Sequence, residues 1–265
     1  MKKILICSPV HQKPKILKEF LYGLSKLELT NEALSIDAHF YFIDDNEDVE
    51  TSEILEGFKE NRPQVKIEKN IFGNVYNPSS HVWRDDVILK VAKNKNKFLG
   101  YARENDFDFV FLVDSDLVVH PQTLLHLASA GCEIVSEVFW TSWQEGTREM
   151  PQVWLYDVYE FFDDKTLSQE EKTQKFLNFA HMLKSNKGIY PVGGLGACTL
   201  ISKSALSKGV SFEKLYNLTF WGEDRHFCIR AAALGIKMFA STYYPPLHIY
   251  RESDLERVSA FWDSV

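Results

Sequence analysis

Two aspartates separated by one serine, Asp114-Ser115-Asp116, directly follow the apolar run at residues 109–113. Aspartate is a poor strand former and costly to bury unpaired, so two of them capping an apolar strand call for a compensating cation. Carboxylate oxygens are hard ligands suited to magnesium or manganese, which commonly keep substrate phosphates as further ligands. The plain alternative is a solvated strand-end turn, where Asp and Ser are ordinary. A second acidic pair, Asp44-Asp45, ends the apolar stretch at 38–43 just as abruptly. The third pair, Glu223-Asp224, follows Gly222 and opens a helical pattern, where carboxylates interact favourably with the positive end of the macrodipole. Simple N-terminal capping would account for that pair as well.

The elements that must position these groups alternate. Residues 3–8 form a compact apolar run suited to a buried parallel strand. Leu17, Phe20, Leu21, Leu24 and Leu27 then fall on one helical face. Strands are expected at 38–43, around 65–67 and at 109–113. Between the last two, Ile88, Val91, Ala92, Phe98, Leu99 and Ala102 mark a helix over 85–104. Pro121 suits the first turn of another helix. This alternation implies a Rossmann-like α/β fold, its mostly parallel sheet flanked by helices, with ligands beyond the carboxyl ends of the strands. The acidic pairs at 44–45 and 114–116 stand at two such ends.

The second half is less regular. Residues 141–190 are rich in aromatic side chains. Ser168 and Glu171 make a capping box for a helix carrying Phe176, Leu177, Ala180 and Leu183, with Gly188 as its stop. Gly193-Gly194-Leu195-Gly196 opens an apolar strand at 198–202. It is not a dinucleotide fingerprint, because it is not at the first strand-helix turn and its glycine spacing is wrong. The helix opened by Glu223 continues through Arg230 to Leu234.

The chain of 265 residues is 45% hydrophobic and 14% aromatic, enough for an extended core. Its 30 basic and 37 acidic residues argue against nucleic acid as a partner. Cys7, Cys132, Cys198 and Cys228 are far apart in apolar runs and read as buried free thiols. The apolar run after Lys2 and Lys3 is too short for a signal peptide, and no stretch approaches a membrane span. A soluble, cytoplasmic protein is expected, with peripheral membrane association still open.

In these features the chain resembles the GT-A glycosyltransferases, particularly the family 2 type. Their aspartate-x-aspartate motif ends the fourth strand, as Asp114-Ser115-Asp116 does, and an acidic pair follows their second strand, matched by residues 43–51. The resemblance implies one domain over 1–265, with a nucleotide-sugar half (1–120), an acceptor and catalytic half (121–265) and a variable segment at 141–190. It implies that Asp114 and Asp116 hold Mn2+ or Mg2+, and that His248, otherwise an ordinary surface or interior histidine, is an additional ligand. It further implies that Asp45, with Asp44, hydrogen-bonds the base of a UDP- or GDP-sugar, while Pro9 belongs to the first nucleotide-contacting loop. Asp224, beside Glu223, matches the general base of inverting members. Gly194 falls in a loop where donor sugar and acceptor approach the backbone. Trp221 is placed to stack on a sugar, and Arg251 to reach a phosphate. The acceptor is a glycan or other hydroxyl compound. Alternatives on the same scaffold are a retaining transferase and a non-catalytic binding module. A nucleotidyltransferase is disfavoured because Ser8-Pro9-Val10-His11 lacks a glycine- and basic-rich phosphate loop.

Overall fold

In chain order the computed structural model comprises β1 (Lys2–Val10), α1 (Pro14–Ser25), β2 (Ile36–Asp44), α2 (Val49–Lys59), β3 (Val65–Lys69), α3 (Asp85–Glu104), β4 (Phe109–Val113), β5 (Leu117–Val118), α4 (Thr123–Ser129) and β6 (Ile134–Glu137). There follow β7 (Trp140–Thr141), β8 (Met150–Pro151), β9 (Val153–Trp154), α5 (Gln169–Ser185), β10 (Ile189–Val192), β11 (Gly194–Leu195), β12 (Cys198–Ser202), α6 (Lys203–Ser207), α7 (Glu223–Ala233), β13 (Met238–Ser241), β14 (Leu247–His248) and α8 (Val258–Asp263). The structure describes residues 1–60, 62–70, 84–162, 164–219 and 222–265.

Eight strands form one sheet in the order β10-β13-β6-β12-β4-β1-β2-β3. β1 lies inside it, paired in parallel with β2 and β4, so both its faces are covered and residues 4–7 are apolar without a break. Because side chains alternate, Ile4 and Ile6 enter one core layer with Leu17 and Phe20 of α1 and Leu55 of α2. Leu5 and Cys7 enter the opposite layer with Ala92, Phe98 and Leu99 of α3. The sheet's register thereby fixes α3 on the face from which its polar residues reach the site.

The sheet is mixed in its second half. β12 runs antiparallel to both β4 and β6, and β10 antiparallel to β13. β12 enters straight from the 193–197 loop, with no crossover helix to carry the chain back to the opposite edge, so it must descend from the edge where that loop lies. Three local expectations also change. Pro121 lies in the turn before α4, whose N-cap is Gln122. α5 has its capping box, but its C-cap is Asn186, and Gly188 instead donates its N–H to Thr242 Oγ1. Cys132 is half-buried, whereas Cys7, Cys198 and Cys228 are buried. Among the described residues no helix is long and apolar enough to cross a membrane.

At the end of β6 the carboxyl of Glu137 is fully buried, accepting from Ser241 Oγ (2.7 Å) and the Tyr244 N–H (3.3 Å). Burial pushes its pKa from 4.5 to about 7 against those hydrogen bonds. The folded state therefore binds the extra proton between these values, and its stability falls as pH rises through that window. At 1.36 kcal/mol per unit the loss is at most about 3 kcal/mol. Glu137→Gln removes this ionisation. In urea unfolding at pH 5 and pH 8 the variant is expected to lose less stability than the parent over that interval. An unchanged pH dependence would contradict this reading of Glu137.

Candidate active site

Asp114 and Asp116 sit where β4 leaves the sheet. The Asp114 N–H donates to Ala197 O (3.0 Å), fastening the strand end to the loop before β12. Asp116 is fastened to the C-terminal region by pairing of β5 with β14, which sets His248 beside Leu117. The Ile249 N–H donates to Asp116 O (2.9 Å), and His248 Nε2 lies 3.4 Å from Asp116 Oδ2. On its other side, His248 Nδ1 is 2.8 Å from Thr141 Oγ1, which fixes the imidazole with Nε2 turned towards the carboxylate. That is the outer-sphere support a metal-binding histidine needs. Among the described residues no three His, Cys, Asp or Glu side chains are arranged to hold an ion unaided. A pair of protein donors suits an ion whose remaining positions go to phosphate and water.

Glu223 and Asp224 are the first residues of α7, after Gly222 as N-cap. Between them and α3 lies Lys95, its side chain only 3% exposed, with Nζ 2.7 Å from Glu223 Oε1 and 3.1 Å from Asp224 Oδ1. Burial would depress the lysine's pKa, but Asp224, Glu223 and Asp114 outweigh it and hold the ammonium charged. The Asp224 carboxyl is raised above its ordinary value by burial and by Glu223, with Lys95 opposing. Asp114 is raised by burial and by Asp116, Asp224 and Glu223, again against Lys95. Three carboxylates, Asp114, Glu223 and Asp224, thus surround one buried ammonium, with Asp116 beside Asp114, an arrangement that favours a further cation. A raised, partly accessible carboxylate also suits proton abstraction near neutral pH.

The second acidic pair stands on the same sheet edge, two strands away from β4. With strands about 4.8 Å apart, Asp44 and Asp114 are separated by roughly 10 Å across β1. Pro9 lies between them, inside β1 and beyond the point where β4 pairing ends at Cys7, so its missing N–H disrupts no ladder. Asp44 is buried; it pairs with Lys69 (2.5 Å) and accepts from Asn46, which shapes the turn. Asp45 is the more exposed of the two. Its carboxylate accepts from Asn70 Nδ2 (2.6 Å) and pairs with Lys90 (2.6 Å), another buried lysine of α3.

A cavity of about 420 Å³ contains Asp114, Asp116, Glu223, Asp224 and His248 on its walls, but not Pro9, Asp44 or Asp45. Gly194 lies away from it, buried against the Trp154 indole, where a Cβ would come within 1.9 Å of the ring. The loop glycine that meets the cavity is Gly196, whose Cβ would stand 3.4 Å from Asp224 Oδ2. Arg251 turns its guanidinium to the carbonyls of Ser142 and Trp143, both at 2.9 Å. Arg230 is engaged with the carbonyls of Ser211 and Glu213. Trp221 lies outside the described residues. Lys95 and Lys90 were not anticipated from the sequence. The only signal for the lysines is their spacing along α3, which places two of them with Asn94 on the buried face.

No family model matches the sequence, and no curated protein sequence matches it. Solved structures do. S. aureus TarS, residues 1–349, superposes with a TM-score of 0.53 at 15% identity, over 93% of this chain and 59% of that one. The mannosyltransferase PcManGT from Pyrobaculum calidifontis, in complex with GDP-Man and Mn2+, superposes with a TM-score of 0.51 at 12% identity, over 91% of this chain and 57% of that one. The chain therefore spans less than two thirds of the length of either. At these identities the likeness establishes architecture: the eight-stranded, mostly parallel sheet and its helices form a GT-A-like glycosyltransferase fold.

Proposed function

We propose that the protein is a metal-dependent glycosyltransferase, moving a sugar from a UDP- or GDP-sugar to a hydroxyl acceptor with inversion at the anomeric carbon. The observation that carries this reading is that one cavity contains both the Asp116–His248 pair and Asp224. Residues 1–120 serve the nucleotide, and 121–265 supply the acceptor site and the base. That a mannosyltransferase of this fold holds GDP-Man and Mn2+ supports the donor class and the metal.

Asp116 and His248 would hold a divalent ion, with Asp114 adding negative charge nearby, and that ion would stabilise charge on the departing diphosphate. Asp224 takes the acceptor hydroxyl proton as that oxygen bonds to the anomeric carbon. The bond from that carbon to the diphosphate oxygen breaks, and its electron pair leaves with the nucleotide. Lys95 favours the ionised form of Asp224 and holds both carboxylates in place. Asp45 binds the nucleotide base at the far end of the sheet edge.

Thermal shift with UDP and GDP tests the metal and nucleotide parts together. One of the two is expected to stabilise the fold with manganese or magnesium present, and not in excess chelator, because bare carboxylates repel a diphosphate. Asp116→Ala should abolish the metal effect while leaving the protein folded. Equal stabilisation in chelator would remove the metal from the account.

Asp45→Ala is expected to weaken donor binding by about 10-fold or more, the worth of a hydrogen bond to a charged group. Turnover at saturating donor should change little, since the lost interaction is remote from the reacting bond and is made equally in ground and transition states. A large fall in turnover with unchanged donor affinity would overturn the assignment.

A further inference from the structure

We infer that the acceptor is an uncharged pyranoside, received with its C–H face against the aromatic side chains that line the same cavity as the carboxylates. This rests on the transferase reading above and names the substrate class for the same cavity. Trp154 and Tyr159 meet edge to face with centroids 4.6 Å apart, and Phe161 lines the same cavity. At the outer rim Trp143, half exposed, packs edge-on against Tyr250 with centroids 5.5 Å apart. Aromatic faces match the apolar face of a sugar ring, while the nearby carboxylates accept from its hydroxyls.

Three observations make this wall a built feature. Tyr159 holds a left-handed backbone conformation (φ 62°), which a non-glycine residue adopts only where its surroundings impose it. Its hydroxyl oxygen lies 2.6 Å from where a Cβ on Gly222 would stand, so the phenol sits over the start of α7, beside the proposed base. The turn carrying Tyr159 is latched to the same helix: the buried Arg225 donates from Nε to Asp157 Oδ1 (2.8 Å) and also bonds Thr219. The latch holds platform and base in a fixed relation, as positioned attack by a hydroxyl requires.

Charge excludes the other acceptor class. Among the described residues lining the cavity none is lysine or arginine, and four are aspartate or glutamate. A phosphorylated or carboxylated acceptor would bring like charge against them without a basic partner.

Tryptophan fluorescence titrations of the whole protein, with Mg2+ and UDP or GDP present, test this. The probes are methyl and octyl gluco-, galacto- and mannopyranosides, the octyl forms below their micelle concentration, against the corresponding hexose 6-phosphates. At least one neutral glycoside is expected to bind about tenfold more tightly than its phosphate, a difference of the size like-charge juxtaposition produces. Trp143→Ala should weaken that binding several-fold; its exposure makes it a safe variant, whereas Trp154→Ala also strips the packing over Gly194. Phosphates that bind as well as glycosides, glycosides that fail to bind, or indifference to Trp143→Ala would each overturn the inference. Failure of the nucleotides to bind, with glycoside recognition intact, would instead count against the transferase reading alone.

Discussion

Replacing Asp224 with asparagine is expected to slow sugar transfer by about 10²–10⁴-fold, the usual contribution of a positioned general base. Fold and donor binding should survive. The amide is nearly isosteric, and Lys95 keeps Glu223 at 2.7 Å as an ion-pair partner. Residual hydrolysis of the donor is consistent with this, because the groups that stabilise the leaving diphosphate are untouched. A merely structural role at the start of α7 predicts the reverse: nearly full transfer and a small stability change, as expected when one capping group replaces another. If transfer persists in the variant and the product keeps the donor's anomeric configuration, the retaining mechanism replaces the inverting one.

The second large effect concerns a residue away from the bond being made. Lys95→Met leaves Glu223 and Asp224 without their buried counter-charge. Removing one partner of a buried pair destabilises by about 3–5 kcal/mol, because the remaining charge is uncompensated. Asp224, whose ionised form Lys95 favours, responds by taking up a proton. Transfer is therefore expected to fall at pH 7 by about 10²-fold or more, within the range for loss of a general base. It should recover in part as pH rises and Asp224 ionises again. Lys95→Arg, which keeps the charge, should retain more activity than the methionine. A Lys95→Met enzyme with the parent's pH profile would show that the lysine has only a packing role.

The elements that place the acidic strand ends were legible because they depend on local pattern. The apolar runs of β1, β2 and β4 and the periodicity of α1 and α3 need no knowledge of the rest of the chain. Asp44, Asp114 and Asp224 could be placed at element ends for the same reason. What escaped depends on distant contacts. Lys95 stands in a helix that carries lysines at 90, 93, 95 and 97, and only its partners, 128 and 129 residues further on, show that it is buried for a purpose. The choice between Gly194 and Gly196 turns on where Trp154 packs, which the loop's own composition does not reveal. Likewise, the Arg225–Asp157 latch and the close approach of Tyr159 to Gly222 join residues far apart in sequence. The direction of β12 is decided by which sheet edge its preceding loop occupies. The aromatic richness of 141–190 was visible, but the gathering of Trp143, Trp154, Tyr159 and Phe161 around one cavity with Asp224 was not.

The most direct test of sugar transfer is consumption of nucleotide sugars by the purified protein, followed by mass spectrometry with manganese present. Incubated with a panel of UDP- and GDP-sugars and neutral glycosides, the protein is expected to release nucleoside diphosphate from one donor and to extend one glycoside by a single sugar. Both products should vanish in chelator and in Asp116→Ala, and the extended glycoside should nearly vanish in Asp224→Asn. If one of these nucleotides binds with its metal, yet no donor is consumed faster than in protein-free controls, the cavity is a binding site and the transferase account is contradicted.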